Sequence, residues 1–483
     1  MIRCPRNLRR PSLPRAACAS LVLSAAIASA TSASAANSWP VAPPPLDALV
    51  EQAWRSNLAL AGQAVEVDRA AARLAEARSR FLPRVDFAAR YTLADGGRTI
   101  DVPIGDLLNG AYATLNQYLA GQGQSPRFGP VANQSIPLLR EREQETKLRL
   151  TQPLYAPAIS RGTRAAREGL AAREAQRTAY QRQLRAEVHE AYFHHTQAAA
   201  GVAIYASALD LVEESVRVNR TLATQDKVTA DIVLRAEAEA AAVRQQLADA
   251  GKGCDFARSF LNFLLNRPLE TPVPELAESA ASAYSSLLEQ VELPGLSAAQ
   301  REELTALQAA QSAARAQTGV VAARRRPTLA LAVESGIQGE SYRTGTDARY
   351  SMGSVVFDWN LFDGAELRNA TAQARADERR VALQQEEVRL QLDLQLQEAR
   401  DEFLVARSAL ATAALRREAT REAYRLVARR EAEGLASQVT VLDARTALTS
   451  AEFNFVSTRA RVAIAAARLD RAATLSPLHP KQP

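Results

Sequence analysis

Few side chains in this chain of 483 residues have the type and spacing to do chemistry. Three histidines, His189, His194 and His195, fall on one predicted helix. Their separations of five and six residues miss the i, i+4 spacing of a helical metal pair, and a metal site here would also need a converging carboxylate or cysteine. Cys254 has no local base that would activate its thiol. We therefore predict no metal site, no cofactor and no catalytic residue.

Motifs that would indicate other chemistry are also missing from the sequence. It contains no glycine-rich phosphate loop, Walker motif, zinc-ligand cluster or nucleophile elbow. The run Arg324-Arg325-Arg326 could suggest contact with nucleic acid, but it stands directly before a predicted strand. Anchoring or turn placement near a membrane–water interface is the simpler interpretation. The sequence therefore indicates neither an enzyme nor a nucleic-acid-binding protein.

Residues 1–35 have the order of a secretory signal peptide. They contain five arginines and no Asp, Glu or Lys. An apolar stretch from about Ala16 to Ala30 follows, and Ala33-Ser34-Ala35 forms a small-x-small cleavage site. Cleavage near Ala35 lowers the net charge from +6 to +1, so the basic balance belongs mostly to the export signal.

The exported chain keeps one cysteine, so an intramolecular disulfide is not expected. No cysteine follows the apolar stretch directly, and we therefore expect no lipid attachment. The mature sequence has no apolar run of about 18 residues, so it predicts no transmembrane helix. If the protein enters a membrane, it must do so with β-strands.

Long proline-free stretches rich in helix formers dominate the chain. They cover roughly residues 46–81, 161–263, 297–326 and 364–475. The second and fourth exceed the roughly 8–20 residues usual for globular helices. Each has one short polar break, at 223–229 and at 433–437. This pattern predicts two long helical hairpins, each closed by a tight turn.

Apolar residues recur at helical spacing along both long arms, as in helices that pack through narrow seams. The first arm carries Tyr180, Leu184, Val188, Tyr192, Leu209, Val212 and Val216. The second arm carries Leu390, Leu394, Phe403 and Leu410, which we expect to share one packed face. Many of the remaining apolar positions are alanine, which suits helices that lie close together.

Four short segments alternate apolar and polar residues, as β-strands do. They lie at about 84–91, 147–155, 328–335 and 349–359. A strand with one apolar face fits a transmembrane barrel with lipid outside and water inside. Without the signal peptide, half-buried strands of a soluble sheet would be the first interpretation.

The chain is built from two repeats of helix, strand, loop, strand and helical hairpin. Leu82-Pro83 matches Arg326-Pro327 at an offset of 244 residues, and Gln152-Pro153 matches Trp359-Asn360 at an offset of 207. The difference of 37 residues lies within 92–146, which we expect to be a large external loop. The predicted first repeat covers 36–270, with its helical hairpin at 161–265. The predicted second repeat covers 297–475, with its helical hairpin at 364–475. A linker or equatorial region at 271–296 joins them, and a C-terminal tail covers 476–483.

Four strands are too few to close a membrane barrel, whose smallest form has about eight. An open sheet edge in lipid would leave backbone groups without hydrogen-bond partners. The chain must therefore oligomerise if its strands lie in a membrane. The long hairpins would then extend the barrel into a conduit.

Five segments carry a resemblance to a known family. They are Phe81-Leu82-Pro83, Leu150-Thr151-Gln152-Pro153-Leu154-Tyr155, Val228-Thr229-Ala230-Asp231-Ile232-Val233-Leu234-Arg235-Ala236-Glu237, Phe357-Asp358-Trp359-Asn360-Leu361-Phe362-Asp363-Gly364, and the segment from Gly434 to Arg445. In this duplicated order, behind a signal peptide, they resemble the TolC-type outer-membrane channels, the outer-membrane factor or outer membrane efflux protein family. The resemblance covers residues 46–474.

The resemblance implies a mainly α fold with a small β part and a duplicated repeat of long helical hairpins. It implies a homotrimer with a 12-stranded barrel among the outer-membrane lipids of a Gram-negative bacterium, four strands per chain. The hairpins would form a periplasmic α-barrel. Their tips would dock to an adaptor (membrane fusion) protein and to a proton-driven or ABC pump of the inner membrane, which supplies the energy.

Two kinds of site follow from the resemblance. The family closes its periplasmic entrance with an acidic ring, whose matching positions here are Asp443 and, departing from the usual acidic residue, Thr440. Three carboxylates on a threefold axis would hold cations; alternatively, Asp443 is an ordinary exposed residue at a helix start. Gly434 suits an αL helix end, and Thr229 and Ser437 suit caps of the outgoing helices. The expected adaptor-docking tips are Asp226, Lys227, Val228, Thr229 and Ala230, and Gly434, Leu435, Ala436, Ser437 and Gln438.

Other functions remain open at this point. The chain could be the outer-membrane component of a type I protein secretion system, so the cargo could be a drug, a metal ion or a polypeptide. A periplasmic adaptor would usually have one helical hairpin between compact β domains. A purely structural coiled-coil protein would need neither alternating strands nor an export signal.

Overall fold

The computed structural model describes residues 39–40, 43–275, 278–293 and 295–478. The predicted signal peptide at 1–35 and the tail beyond residue 478 lie outside the described residues. The described chain is mainly helical with a small β part, which confirms that part of the expected fold class. None of its described helices is both long enough and apolar enough to cross a membrane.

The two longest helices have equal length and each begins a hairpin. The helices are α1 (Pro44–Ser56), α2 (Leu58–Ser79), α3 (Ile104–Gly121), α4 (Pro157–Ala223), α5 (Ala230–Leu264), α6 (Glu278–Glu289), α7 (Glu302–Ala323), α8 (Glu366–Ala432) and α9 (Gln438–Ala473), with a short 3-10 helix at Ala298–Gln300 before α7. Both α4 and α8 contain 67 residues, about 100 Å at 1.5 Å per residue. Helix α4 pairs with α5, and α8 pairs with α9.

The continuous helix expected over residues 46–81 is interrupted at Asn57. The Asn57 side-chain oxygen accepts a hydrogen bond from the Leu60 backbone N–H at 3.0 Å, and its amide donates to the Leu264 carbonyl at 2.9 Å. Asn57 therefore caps α2 and ties it to the end of α5. Helix α4 begins at Pro157 rather than at Arg161, because the fixed φ of proline suits the first helical turn.

Four antiparallel strands form one sheet in the order β1-β4-β5-β6. The strands are β1 (Arg84–Leu93), β4 (Arg142–Tyr155), β5 (Thr328–Gly339) and β6 (Arg349–Asp358), with β2 (Thr99–Val102) and β3 (Gln134–Pro137) paired separately. Each repeat contributes one adjacent pair, and β4 pairs with β5 to join the repeats. Strands β1 and β6 are the outer strands of this sheet.

The segment expected to be a large loop, within 92–146, contains the β2–β3 hairpin and α3. Asparagines fix its return path: the Asn116 side chain accepts from the backbone N–H groups of Arg127 and Phe128 and donates to the Phe128 carbonyl at 2.7 Å. A Cβ at Gly105 would lie 2.3 Å from the Val131 carbonyl oxygen, so only glycine allows this approach. Local side-chain-to-backbone bonds, which give no periodic signal, order the segment.

The helical core is built around α4. This helix packs against α1, α2, α5, α7 and α9, whereas α8 packs mainly against α7 and α9. The side chains of Tyr192, Leu261, Phe403 and Leu469 are almost fully buried within this core. Alanines on α9 let it lie close to its neighbours, since most of its buried residues are alanine.

Candidate functional site

Both helical hairpins turn through the same backbone geometry. The residue in the left-handed region is Asp226 (φ 56°) at the first tip and Gly434 (φ 74°) at the second. The next N–H reaches back five residues in both, from Lys227 to the Leu222 carbonyl at 3.0 Å and from Leu435 to the Arg430 carbonyl at 2.7 Å. These bonds satisfy carbonyls at the helix ends, as in a Schellman motif. The two tips are therefore equivalent positions, 208 residues apart.

The side chains of the two tips differ. Ser437 caps α9, since its hydroxyl accepts from the Thr440 backbone N–H at 3.3 Å. Thr229 makes no such bond, and the expectation that it caps α5 with its side chain is wrong: its hydroxyl donates to the Asp231 carboxylate instead. Because the Thr229 hydroxyl is bonded to the Asp231 carboxylate, it does not accept a hydrogen bond from the first N–H groups of α5.

Most of the ten predicted docking residues are exposed, and all stand at the same end of their hairpins. The exposed ones are Asp226, Lys227, Thr229, Ala230, Gly434, Leu435 and Ser437, while Val228, Ala436 and Gln438 are half-buried. Leu435 leaves 74% of its surface exposed at the second tip. The Gln438 amide donates to the Ser215 hydroxyl at 3.0 Å and so fixes the second tip against α4.

Asp443 and Thr440 lie one turn apart near the start of α9, so they share a helix face. Both side chains are exposed. The Thr440 hydroxyl is within 2.9 Å of the Ser437 hydroxyl, which engages it in the cap. At the equivalent position of the first hairpin stands the exposed Arg235, so the two hairpins carry opposite charges there.

One face of the sheet is apolar and exposed. In the register, Phe87 lies opposite Leu148, and Leu331 lies opposite Val355. The exposed apolar residues on this face are Val85, Phe87, Tyr91, Leu93, Leu148, Tyr155, Val333, Val355 and Phe357, whereas Met352 and Val356 are exposed on the other face. Such a continuous apolar face marks contact with another protein or with lipid.

The other face carries a ladder of charges across β1, β4 and β5, in which Arg90 of β1 contacts Glu145 of β4 at 3.4 Å. Arg149 contacts Glu334 at 2.8 Å, and Lys147 contacts Glu145 at 2.8 Å and Glu334 at 3.5 Å. Gly336 makes room for this, because a Cβ there would lie 2.8 Å from the Cβ of Lys147. Alternation thus separates an apolar face from a polar one, as in strands with lipid on one side and water on the other.

The residues that could have done chemistry do not converge. His189 is fully buried on α4, where loss of hydration lowers its pKa to about 3, and His194 is exposed. Burial also lowers the pKa of His195 and raises the pKa of the Cys254 thiol, which makes the thiolate less available. Within the described ranges, no group of three or more His, Cys, Asp or Glu side chains could hold a metal ion.

Helix α8 has two apolar faces rather than the one expected. Phe403 and Leu410 are buried, but Leu390 and Leu394 leave 57% and 66% of their surface exposed. At about 100° per residue, the exposed residues fall within an arc of about 80° on the side opposite Phe403. The members of this exposed stripe are Leu383, Leu390, Leu394, Val405, Leu415 and Leu426. The expectation of one packed face was wrong, because the helical angle separates Leu390 and Leu394 from Phe403 and Leu410.

Residues 293–474 match the family model described as Outer membrane efflux protein. The expected resemblance to this family is confirmed. No curated protein matches the chain significantly by sequence.

Solved outer-membrane channels have the same fold along most of the chain. The channel OprN is 20% identical with a TM-score of 0.69, covering 89% of this chain and 90% of its own. The Campylobacter jejuni CmeC outer membrane channel is 15% identical with a TM-score of 0.72, covering 89% and 86%. The Neisseria gonorrhoeae MtrE outer membrane channel, in its open state, is 19% identical with a TM-score of 0.70, covering 89% of both chains. The fold of these channels therefore extends over both repeats.

Proposed function

We propose that this chain is one protomer of a trimeric outer-membrane channel for efflux or export. Four strands from each of three chains close a 12-stranded barrel in the outer membrane of a Gram-negative bacterium, and the helical hairpins extend it through the periplasm. The tips dock to an adaptor protein and an inner-membrane pump, which supplies the energy. The chain itself performs no catalysis.

The observation that carries this proposal is the four-stranded sheet with one exposed apolar face and two outer strands, β1 and β6. In lipid, every backbone N–H and C=O needs a protein partner, so these outer strands require strands from other copies. Joining β6 of one copy to β1 of the next satisfies both edges, and three copies supply twelve strands. The family match supports the same architecture.

The second apolar face of α8 supports association along the helices as well. Its stripe of six large side chains points away from the protomer core. On α5, Phe256, Phe260 and Phe263 are also exposed, and the first two line a groove of about 670 Å³ together with Phe453. Contiguous apolar surfaces of this kind indicate protein partners, and neighbouring copies would cover them.

We propose that Asp443 lines the periplasmic entrance and that Thr440 takes the second position of the ring. Asp443 is exposed and Thr440 shares its face one turn away. Three Asp443 carboxylates on the threefold axis would attract cations. Asp443→Asn should lower cation preference and raise leak conductance in planar bilayers, and Arg235→Gln on the first hairpin is the matched control. Unchanged reversal potentials in Asp443→Asn would contradict the gate assignment.

The channel itself is tested by isolating outer membranes and running the protein unheated and heated on a denaturing gel. We expect a trimer that dissociates on heating and that conducts ions in a planar bilayer. A monomer in the soluble periplasmic fraction would overturn the proposal.

Docking is tested separately, with photocrosslinkers at Lys227 and Ser437 and candidate adaptors expressed one at a time. A crosslinker at the exposed Gln397, far from both tips, is the control. Crosslinking at the tips but not at Gln397 is expected. Equal crosslinking at all three positions would contradict docking through the tips.

A further inference from the structure

The end of the sheet nearest the helices is surrounded by exposed apolar side chains and unpaired arginines. Strand β1 begins, β4 ends, β5 begins and β6 ends at this level, so all four strands contribute. The exposed apolar residues are Phe81, Leu82, Leu154, Tyr155, Trp359, Leu361 and Phe362. Together with Arg78, Arg324, Arg325 and Arg326, we name this set the junction belt.

Trp359 fixes the aromatic and basic parts of the junction belt at one height. It follows the last residue of β6, and its indole N–H donates to the Arg325 carbonyl oxygen at 3.0 Å. Half of its surface stays exposed, and Phe362, three residues on, is 89% exposed. Tryptophan and other aromatic side chains concentrate at the boundary between hydrocarbon and headgroups. The belt therefore has the composition of a membrane–water boundary.

The arginines of the junction belt form no ion pair with the part of the chain that the structure describes, unlike their neighbours. Arg80 pairs with Glu76 at 2.9 Å, and Arg84 pairs with Asp86 at 2.8 Å. Arg324, Arg325 and Arg326 are exposed, and no carboxylate of the described residues forms an ion pair with them or with Arg78. Four such charges per chain, against the one exposed carboxylate of Asp358 at the end of β6, give a positive ring in a trimer. A ring of this kind needs anions to balance it.

We propose that the junction belt binds the phosphate groups of anionic glycerophospholipids in the periplasmic leaflet of the outer membrane. The helices leave the sheet at this end, so in the proposed channel it faces the periplasm. Arginine clusters beside a hydrocarbon boundary attract anionic lipids, and guanidinium groups bind phosphate through paired hydrogen bonds. The belt thereby fixes the depth of the barrel in the bilayer. This inference rests on the proposed outer-membrane placement of the sheet.

The test measures lipid preference at the perimeter of the reconstituted full-length trimer. Spin-labelled phosphatidylglycerol and phosphatidylcholine are compared in phosphatidylcholine vesicles by electron spin resonance. We expect wild type to prefer phosphatidylglycerol, and R324Q/R325Q/R326Q to lose about fivefold or more of that preference. High salt should also weaken the preference of wild type for phosphatidylglycerol, because it screens the arginine charges. This measurement requires no substitution.

The matched control is R425Q/R429Q/R430Q, which removes three exposed arginines near the far end of α8 and should keep the preference. Wild-type trimers that insert and conduct but show no phosphatidylglycerol preference would overturn the inference and leave the channel intact. A triple variant whose trimer weakens equally in neutral lipid would instead assign the arginines to a neighbouring copy. Failure of wild type to insert would count against the channel itself.

Discussion

Helices α4 and α8 occupy equivalent places in the two repeats and have the same 67 residues, yet they are buried very differently. Leu184 and Val188 on α4 match Leu392 and Leu396 on α8, and all four are buried. Around the rest of its circumference α4 meets five other helices, whereas α8 exposes a second apolar stripe. The two repeats thus keep one buried face in common on α4 and α8, and the remaining faces of the two helices differ. Helix α4 became the centre of the protomer and α8 its outer surface.

The largest effect is expected from placing charge on the outer side of α8. The double change L390D/L394D puts two carboxylates into the exposed stripe, where a neighbouring copy would have to bury them without partners. We expect loss of the trimer on unheated gels while the protomer keeps its helical circular dichroism spectrum. Q384D, at an exposed polar position of the same helix outside that arc, should assemble normally. A stable trimer of the double variant would mean that the stripe faces no copy.

The burial of His189 against the helices packed on α4 predicts acid sensitivity. Its pKa of about 3 in the folded state lies below the usual value of 6.5, because desolvation disfavours the charged imidazole. The folded state therefore binds fewer protons, and stability is lost as the pH falls from about 6.5 towards 3. At pH 4.5 the loss is about 2–3 kcal/mol.

The measurement compares thermal unfolding midpoints at pH 7 and pH 4.5 in detergent. H189L should show a smaller difference between the two midpoints than wild type, whereas H194L, at an exposed position, should match wild type. An undiminished difference in H189L would assign the acid sensitivity to other groups.

A smaller difference in stability is expected when the residue with positive φ is substituted at each tip. Gly434 adopts φ 74° without cost, and a β-branched residue there clashes with its own backbone. We expect G434V to destabilise the second hairpin by about 1–2 kcal/mol. D226G should leave the first hairpin unchanged or slightly stabilised, since Asp226 already holds φ 56°. Amide hydrogen exchange in the last turns of α8 and α4 measures the stability change in each variant. Equal changes in exchange rate for G434V and D226G would contradict the expected difference between the tips.

The smallest difference concerns the caps of the outgoing helices. S437A removes the acceptor for the Thr440 N–H and should cost the second hairpin about 1 kcal/mol. T229A removes no such bond, so it should change the stability of the first hairpin by less. Hydrogen exchange in the first turns of α9 and α5 distinguishes the two. A larger loss in T229A would mean that Thr229 caps α5 in solution.

The site was more predictable at its turns than at its faces. Gly434 and the polar break before Ala230 carry local turn chemistry, so both tips are visible in sequence. The positive φ of Asp226 and the hydrogen bond from Thr229 to Asp231 were not predictable in this way. Several polar groups lie near each other at the first tip, and the sequence does not say which of them form hydrogen bonds. Helical spacing places Leu390 and Phe403 on opposite faces, but it does not say which of the two faces meets a neighbouring helix.

The sequence alone determined the periodic features of this protein: two long helical hairpins, alternating strands and the duplication that orders them. These follow from local propensity and from apolar spacing, which each segment carries by itself. Tertiary structure decided which apolar stripe is covered, where α1 gives way to α2 at Asn57, and how the segment between β1 and β4 folds. Those outcomes depend on contacts between residues far apart in sequence, such as Asn57 with Leu264, and no local pattern encodes them.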